Sequence, residues 1–319
     1  MKFGFFAVVV GGAAVIGLVA WFGVRSIGAD VLEAGWVIPL TTALLFVQLW
    51  LSAAAWRIVV GEPRPKLGRY FRIRWVREAV NSLLPVAQLG GNIVGIRMLV
   101  LRGVPGPVAA AGTTLDLTIE AVTQFVFTLA GFAVLLGSGS SAASAPWVSW
   151  SLGVMGFGLL GFVVAQRAGL LRAIEWLSGR LTRVFPQLSV EMVRGLHREL
   201  MRLHQDRTAL AQATGLHLLA WVLGVVETWV ALFAMGLTPS LAEAFVVESL
   251  GMAARSAGFA VPGALGVQEA GFIVVCDLFG IGADIAIALS MVKRARELLV
   301  GIPGLVAWQW AEGKRLLRR

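Results

Sequence analysis

Residues 248–269 read ESLGMAARSAGFAVPGALGVQE, and residues 78–97 read EAVNSLLPVAQLGGNIVGIR. Each stretch opens on an acidic residue, runs through an apolar arm and breaks at a proline, Pro262 in one and Pro85 in the other. Glycines flank each break: Gly263 and Gly266 in the first, Gly90 and Gly91 in the second. Such residues interrupt the hydrogen-bond ladder of a straight helix or weaken it. The apolar segments around them, about 241–281 and 75–101, are therefore expected as re-entrant helical hairpins. Backbone that leaves the helix at membrane depth survives only where protein or a water-filled cavity covers it. The 75–101 segment begins beside basic residues and ends at Arg97 and Arg102, which places both its ends on one side of the membrane. If 241–281 opens on the other side, the two form an inverted pair of broken elements of the kind that meets near the bilayer midplane in transporters.

Working outward, the rest of the 319 residues is equally apolar: 58% hydrophobic, 14% charged, with a mean hydropathy of +0.81. A soluble domain is about 25% charged, and the apolar runs here are long enough to cross a bilayer, for which about 20 residues suffice. An ordinary cytoplasmic enzyme, a disulfide scaffold and a disordered protein are excluded. Cys276 is the only cysteine, and three histidines leave little scope for a metal site, so neither metal nor cofactor is expected. The fold expected is an all-α polytopic membrane protein, one transmembrane domain over residues 1–319. It has six full spans (3–24, 35–56, 108–136, 147–165, 209–235 and 285–310) plus the two opposed hairpins, or eight spans if both hairpins cross fully. Residues 166–208 hold eight arginines and no spanning run, and read as an amphipathic cytoplasmic segment.

The net charge of +9 follows from topology rather than from nucleic acid. All Lys and Arg residues except Arg25, Arg255, Lys293, Arg294 and Arg296 fall on the cytoplasmic side of this layout, including Arg74 and Arg77 in the basic stretch 57–77. Both termini are then cytoplasmic.

Charged residues inside apolar segments are costly and mark function or pairing. Gly112, Asp116, Glu120, Gln124 and Thr128 recur every four residues and share a helix face, which must look onto a cavity or onto partner helices. Lys293, Arg294 and Arg296 lie with Glu297 near mid-membrane and need anions. Glu120, Glu227, Glu248, Glu269 and Glu297 are protein candidates, and a lipid phosphate is a ligand candidate, which the planar arginine fork suits. The expected headgroup-binding set is Arg255, Lys293, Arg294 and Arg296. The expected polar and counter-charged lining is Glu78, Asn81, Arg97, Asp116, Glu120, Gln124, Glu227, Glu248, Gln268, Glu269 and Glu297. His217 reads as a satisfied polar contact within a span. Ser290 and Lys293 match the SxxK spacing, a pattern too short to carry catalysis, and no catalytic residue is assigned.

The stretch Arg74-Trp75-Val76-Arg77-Glu78-Ala79-Val80-Asn81-Ser82-Leu83-Leu84-Pro85, with Gly90-Gly91 and Arg97, resembles the first motif of the lysylphosphatidylglycerol synthase/flippase transmembrane-domain family. Val261-Pro262-Gly263-Ala264-Leu265-Gly266-Val267-Gln268-Glu269 resembles its second motif, and Lys293-Arg294-Ala295-Arg296-Glu297 is similar to the basic motif that follows. Within the family the chain most resembles the hopanoid-biosynthesis-associated integral membrane branch. The resemblance implies a polytopic helical fold with re-entrant segments, membrane lipids (phospholipid or hopanoid) as partners, and a flippase or lipid-transport role. No aminoacyl-transferase domain follows before Arg319, so aminoacyl transfer is not carried over and an enzyme is not expected. Two alternatives stand beside transport. One is a membrane scaffold that binds lipid-biosynthesis enzymes; the other, less favoured, is an intramembrane headgroup enzyme with Asp116 and Glu120 as acid and base. The oligomeric state is left open.

Overall fold

Long apolar runs free of β-branched alternation give helices, and a computed structural model, which describes residues 34–61, 65–84, 90–138, 190–258 and 261–316, contains no strand among them. A 3-10 turn, Ala34–Val37, leads into α1, Ile38–Val60. The others are α2 (Leu67–Leu83), α3 (Gly90–Val100), α4 (Gly106–Gly137), α5 (Val190–Leu203), α6 (Arg207–Ala234), α7 (Leu241–Ala257), α8 (Val267–Asp277) and α9 (Ala283–Leu316). Three stretches are long and apolar enough to cross a membrane: Gly35–Val60, Gly106–Gly137 and Arg207–Ala234. These match the second, third and fifth expected spans. The expected spans 3–24 and 147–165, the 139–146 loop, residues 166–189 and Pro85 lie outside the described residues.

Both broken segments are helix pairs. α2 lies against α3, and α7 against α8. Gly91 makes the first crossing close, because a methyl there would meet the Arg77 carbonyl, and its amide donates to Asn81 Oδ1 at 2.8 Å. Gly271 does the same in the second pair, where a methyl would collide with the Ala254 side chain. The second break holds a 3-10 turn, Pro262–Ala264, in which Gly263 takes the positive φ of 61°, and Gly266 just after it takes 80°. This is backbone that L side chains resist. Glu269 then reaches back to the Gly266 amide at 2.7 Å and caps the start of α8. The break touches the end of α2, where Gly263 faces the Ser82 carbonyl. At about 1.5 Å per residue, the 11-residue helices α3 and α8 are roughly 16 Å long, about half the hydrocarbon thickness.

Two apolar clusters cap a polar middle. One joins α1, α2, α3 and the first turn of α4 through Trp56, Tyr70, Ile73, Leu99 and Val108. The other joins the far halves of α4, α6, α7, α8 and the first turns of α9 through Phe132, Leu232, Val247, Phe272 and Leu289. α5 docks on the bundle rather than standing apart: Leu200 and Leu203 bury among Ala55, Val59, Ala111 and Leu115.

α2 and α9 cross closely because α9 is glycine-lined there. A methyl on Gly304 would lie 2.8 Å from Ala79 Cβ, and one on Gly301 would lie 2.7 Å from Leu83 Cδ1. Pro303 sits between them and removes the hydrogen bond its own amide would have made. The Trp75 indole donates to the neighbouring Val300 carbonyl at 2.7 Å, tying α2 to the altered turn.

Gly215 on α6 has open space around it, so the same substitution should act oppositely at the two sites. Gly215→Ala is expected to stabilise, since helix propensity favours alanine by about 1 kcal/mol. Gly304→Ala is expected to destabilise, because overpacking costs about 1–3 kcal/mol. Thermal midpoints in detergent check the signs, and a rise for Gly304→Ala would refute the close crossing.

Candidate functional site

On α2 the positions Tyr70, Ile73, Arg74, Arg77 and Val80 recur at helical spacing and are all buried. Two arginines thus share the apolar face. They meet the polar face of α4, where Asp116 and Glu120 stand one turn apart. Arg74 donates to Glu120 Oε1 at 2.6 Å and lies 3.5 Å from Asp116 Oδ2. Arg77 donates to the same Asp116 oxygen at 2.7 Å and stacks 5.2 Å from the Trp56 ring. His217 of α6 completes the network, its Nε2 3.0 Å from Asp116 Oδ1. The two carboxylates are neighbours on one helix and would repel; two guanidinium groups between them remove that cost.

A second network surrounds Lys293 of α9, which is 1% exposed. Its ammonium donates to Glu248 Oε2 of α7 at 2.8 Å and to Glu227 Oε1 of α6 at 3.3 Å. Arg296 donates to the other Glu227 oxygen, which also accepts from Gln48 of α1 at 3.3 Å. Thr228 donates to Glu248 at 2.6 Å.

The third network ties α7, α8 and α9. Arg255 donates to Glu297 and, at 2.6 Å, to Gln268 Oε1. Gln268 donates to Ser290 Oγ, which donates to Glu269 Oε1 at 3.1 Å. Arg294 donates to that Glu269 oxygen and to the Gly263 carbonyl at 3.0 Å, so the break of the second pair is held from α9.

The networks converge on a cavity of about 140 Å³. Its charged lining comprises Arg74, Arg255 and Arg296 with Glu78, Glu120 and Glu297, and His217, Gln48 and Trp221 add polar and aromatic wall. Three cations against three carboxylates make the lining neutral. Glu78 is the least engaged of the six: it accepts from Ser82 Oγ at 3.2 Å and lies 4.0 Å from Arg74, with its side chain 35% exposed.

Of the four cations expected to hold a headgroup, Arg255 and Arg296 line this cavity, whereas Lys293 and Arg294 point into the helix contacts just described. Among the expected lining, Glu78, Glu120 and Glu297 are at the cavity. Asp116, Glu227, Glu248, Gln268 and Glu269 stand behind it as counter-charges and relays. Gln124 donates to the Met252 carbonyl and to Ser256, joining α4 to α7. Asn81 receives the Gly91 amide. Arg97 is exposed on α3.

One expectation is corrected, and one choice among the candidate anions is settled. Arg74 and Arg77, counted above with the basic stretch 57–77, are buried in the bundle; they are 4% and 2% exposed, and they hold Asp116 and Glu120. Their signal was present in the helical spacing with Tyr70 and Ile73. Arg296 pairs with Glu227 rather than with its neighbour Glu297, because adjacent residues on a helix point about 100° apart. Glu297 belongs to Arg255.

This pairing sets a test. Removing one partner of a buried pair costs about 3–5 kcal/mol, so Arg296→Ala is expected to lower the thermal midpoint markedly. Adding Glu227→Gln should restore part of the loss. Adding Glu297→Gln should not, since it strands Arg255 as well. Equal rescue by both second changes would refute the assignment.

No curated protein and no solved structure matches this chain. Residues 6–304 match a family model described as the lysylphosphatidylglycerol synthase TM region. With nearly the whole chain covered, including the two broken segments and the charged stretch of α9, the protein belongs to the lysylphosphatidylglycerol synthase transmembrane family, a membrane family connected with lipids.

Proposed function

We propose that the protein moves the polar headgroup of a membrane lipid across the bilayer, with the charged cavity as the headgroup's station between leaflets. One observation carries the reading: a cavity, in a bundle that belongs in lipid, is walled by six charged side chains of both signs and a histidine. A structural core has no use for space at such a place. The cavity's 140 Å³ is well below the 300–1,000 Å³ typical of sites that enclose a small molecule. Only a headgroup enters, and the acyl chains stay in the surrounding bilayer.

Glu297 holds Arg255 and Glu227 holds Arg296. A phosphate entering takes the place of a carboxylate on one of these arginines, and the displaced carboxylate faces the polar or cationic remainder of the headgroup. Exchange of one anion for another keeps the low-dielectric site neutral throughout, which avoids the cost of a bare buried charge. In this reading the paired segments α2–α3 and α7–α8 are re-entrant and opposed, related as an inverted repeat. Their meeting at Gly263 and Ser82, and the half-membrane length of α3 and α8, support it. The protein carries lipid, phospholipid or hopanoid-type, without altering it covalently. It sits in a bacterial inner membrane with both termini in the cytoplasm, as its basic residues favour.

The test is leaflet distribution in reconstituted vesicles carrying headgroup-labelled lipids. Wild-type protein is expected to bring both leaflets to equilibrium. The double change Arg255→Gln/Glu297→Gln, which removes a cavity cation without stranding its carboxylate, should slow this at least tenfold while leaving helicity unchanged. Vesicles whose label stays in the leaflet where it was placed, for every lipid class tried, would overturn the proposal.

A further inference from the structure

Every buried cation described above has a carboxylate. A group of exposed arginines at one end of the bundle has none among the described residues. We propose that Arg69, Arg72 and Arg102 form a binding site for the phosphate of an anionic membrane lipid, whose acyl chain lies along the exposed apolar edge of α3.

The three come together because α2 and α3 are antiparallel neighbours. Arg69 and Arg72, one turn apart at the start of α2, therefore stand beside the turn that follows α3. That turn carries Arg102, which fastens one side of its fork to the Met98 carbonyl at 2.9 Å. Tyr70, Leu99, Val104 and Val108 share one apolar cluster, so the start of α2, the end of α3 and the start of α4 are at the same end of the bundle. All three arginines are exposed, and among the described residues none has a carboxylate within 4.0 Å. Partial burial, and beyond it the charges of Arg69 and Arg72, lower the pKa of Arg102. No described carboxylate offsets their mutual repulsion.

The local backbone adds to the positive potential. α2 starts at Lys66 and α4 at Pro105, and neither has a side-chain cap or an acidic residue in its first turn. Helix N-termini carry partial positive charge and orphan amides, and acidic residues usually neutralise them. Two such ends and three arginines in one place call for an anion from outside the chain. Ion-paired Arg202, which donates to Glu199 at 2.8 Å, shows the contrast elsewhere on this surface.

The anion is a lipid's because of where the site stands. The candidate spans Gly35–Val60 and Gly106–Gly137 end and begin beside it, which sets it at headgroup level. From there Ile93, Val100 and Leu101 present an exposed apolar edge, 68%, 42% and 41% accessible, with Ile93 and Val100 two turns apart on one face. A soluble anion would use the arginines and leave this edge unoccupied. The site is separate from the central cavity, and its occupancy does not depend on transport.

The experiment uses the full chain in neutral detergent and reads retained lipid by native mass spectrometry. The probes are dioleoylphosphatidic acid, dioleoylphosphatidylcholine and inorganic phosphate. Wild-type protein is expected to retain phosphatidic acid in preference to phosphatidylcholine, and millimolar inorganic phosphate should not displace it. Each arginine near a membrane surface contributes enough for roughly a fivefold effect, so the triple variant Arg69→Gln/Arg72→Gln/Arg102→Gln should lose about a hundredfold in affinity. Arg202→Gln should change nothing. If the triple variant loses its helicity, Arg72→Gln alone is read instead, with about fivefold weaker retention expected. Undiminished retention by a folded variant, equal retention of phosphatidylcholine by wild type, or full displacement by inorganic phosphate would each overturn the proposal.

Discussion

A cation inside an apolar bundle must have an anion within reach, and α9 carries three cations and a carboxylate within five residues. Successive positions on a helix point about 100° apart, so Lys293, Arg294, Arg296 and Glu297 cannot share a single partner. Lys293 looks to α6 and α7, Arg294 to α8 and the break before it, Arg296 to α6, and Glu297 to α7. α9 therefore acts as a hub whose charges fix the azimuth and depth of three helices around it. Buried pairs contribute little net stability compared with well-packed apolar residues, but removing one partner is severe. What the network secures here is register, since sliding α7 or α8 by one turn would strand two charges at once.

The same constraint decides what the sequence makes legible. Charged residues in an apolar run announce themselves, so the α9 cluster, Arg255 and the Asp116–Glu120 stripe on α4 were readable, as were the two broken segments from Pro-Gly and Gly-Gly. Partner choice was not. Asp116 meets His217 across 101 residues, and Arg296 meets Glu227 across 69. Nothing local to either residue encodes those pairs, because they depend on which helices become neighbours. The buried arginines of α2 were obscured for a different reason. They end a run of exposed basic residues, and a count of charges along the chain treats that run as one surface.

Helical periodicity separates what the count merges. Arg69 and Arg72 fall on the exposed side of α2, while Arg74 and Arg77 fall with Tyr70 and Ile73 on the buried side. Within nine residues one helix thus changes from a cation donor for its surroundings to a counter-charge for α4. The close approach that allows this comes from small residues. Gly91 lets α3 reach the Arg77 backbone, and Gly301 and Gly304 let α9 reach Ala79 and Leu83. A bulkier lining would hold the helices apart and leave the guanidinium groups short of their carboxylates.

Pairing also shapes the cavity. Because its walls hold equal numbers of cations and carboxylates, the lining is neutral, and under the proposed transport role a headgroup of either sign would enter only by displacing an existing pair. Under that proposal, selectivity would rest on how well the incoming group replaces a carboxylate's hydrogen bonds, rather than on long-range attraction. Phosphate does this well, since it offers a fork-matching pair of oxygens to Arg255 or Arg296. The least-paired carboxylate, Glu78, stands across the same space on α2, beside the break of the second helix pair. Movement of either broken segment would change the distance between Glu78 and the arginines of α7 and α9. The spacing of the cavity's charges therefore depends on where the fold sets the two elements that depart most from straight helices.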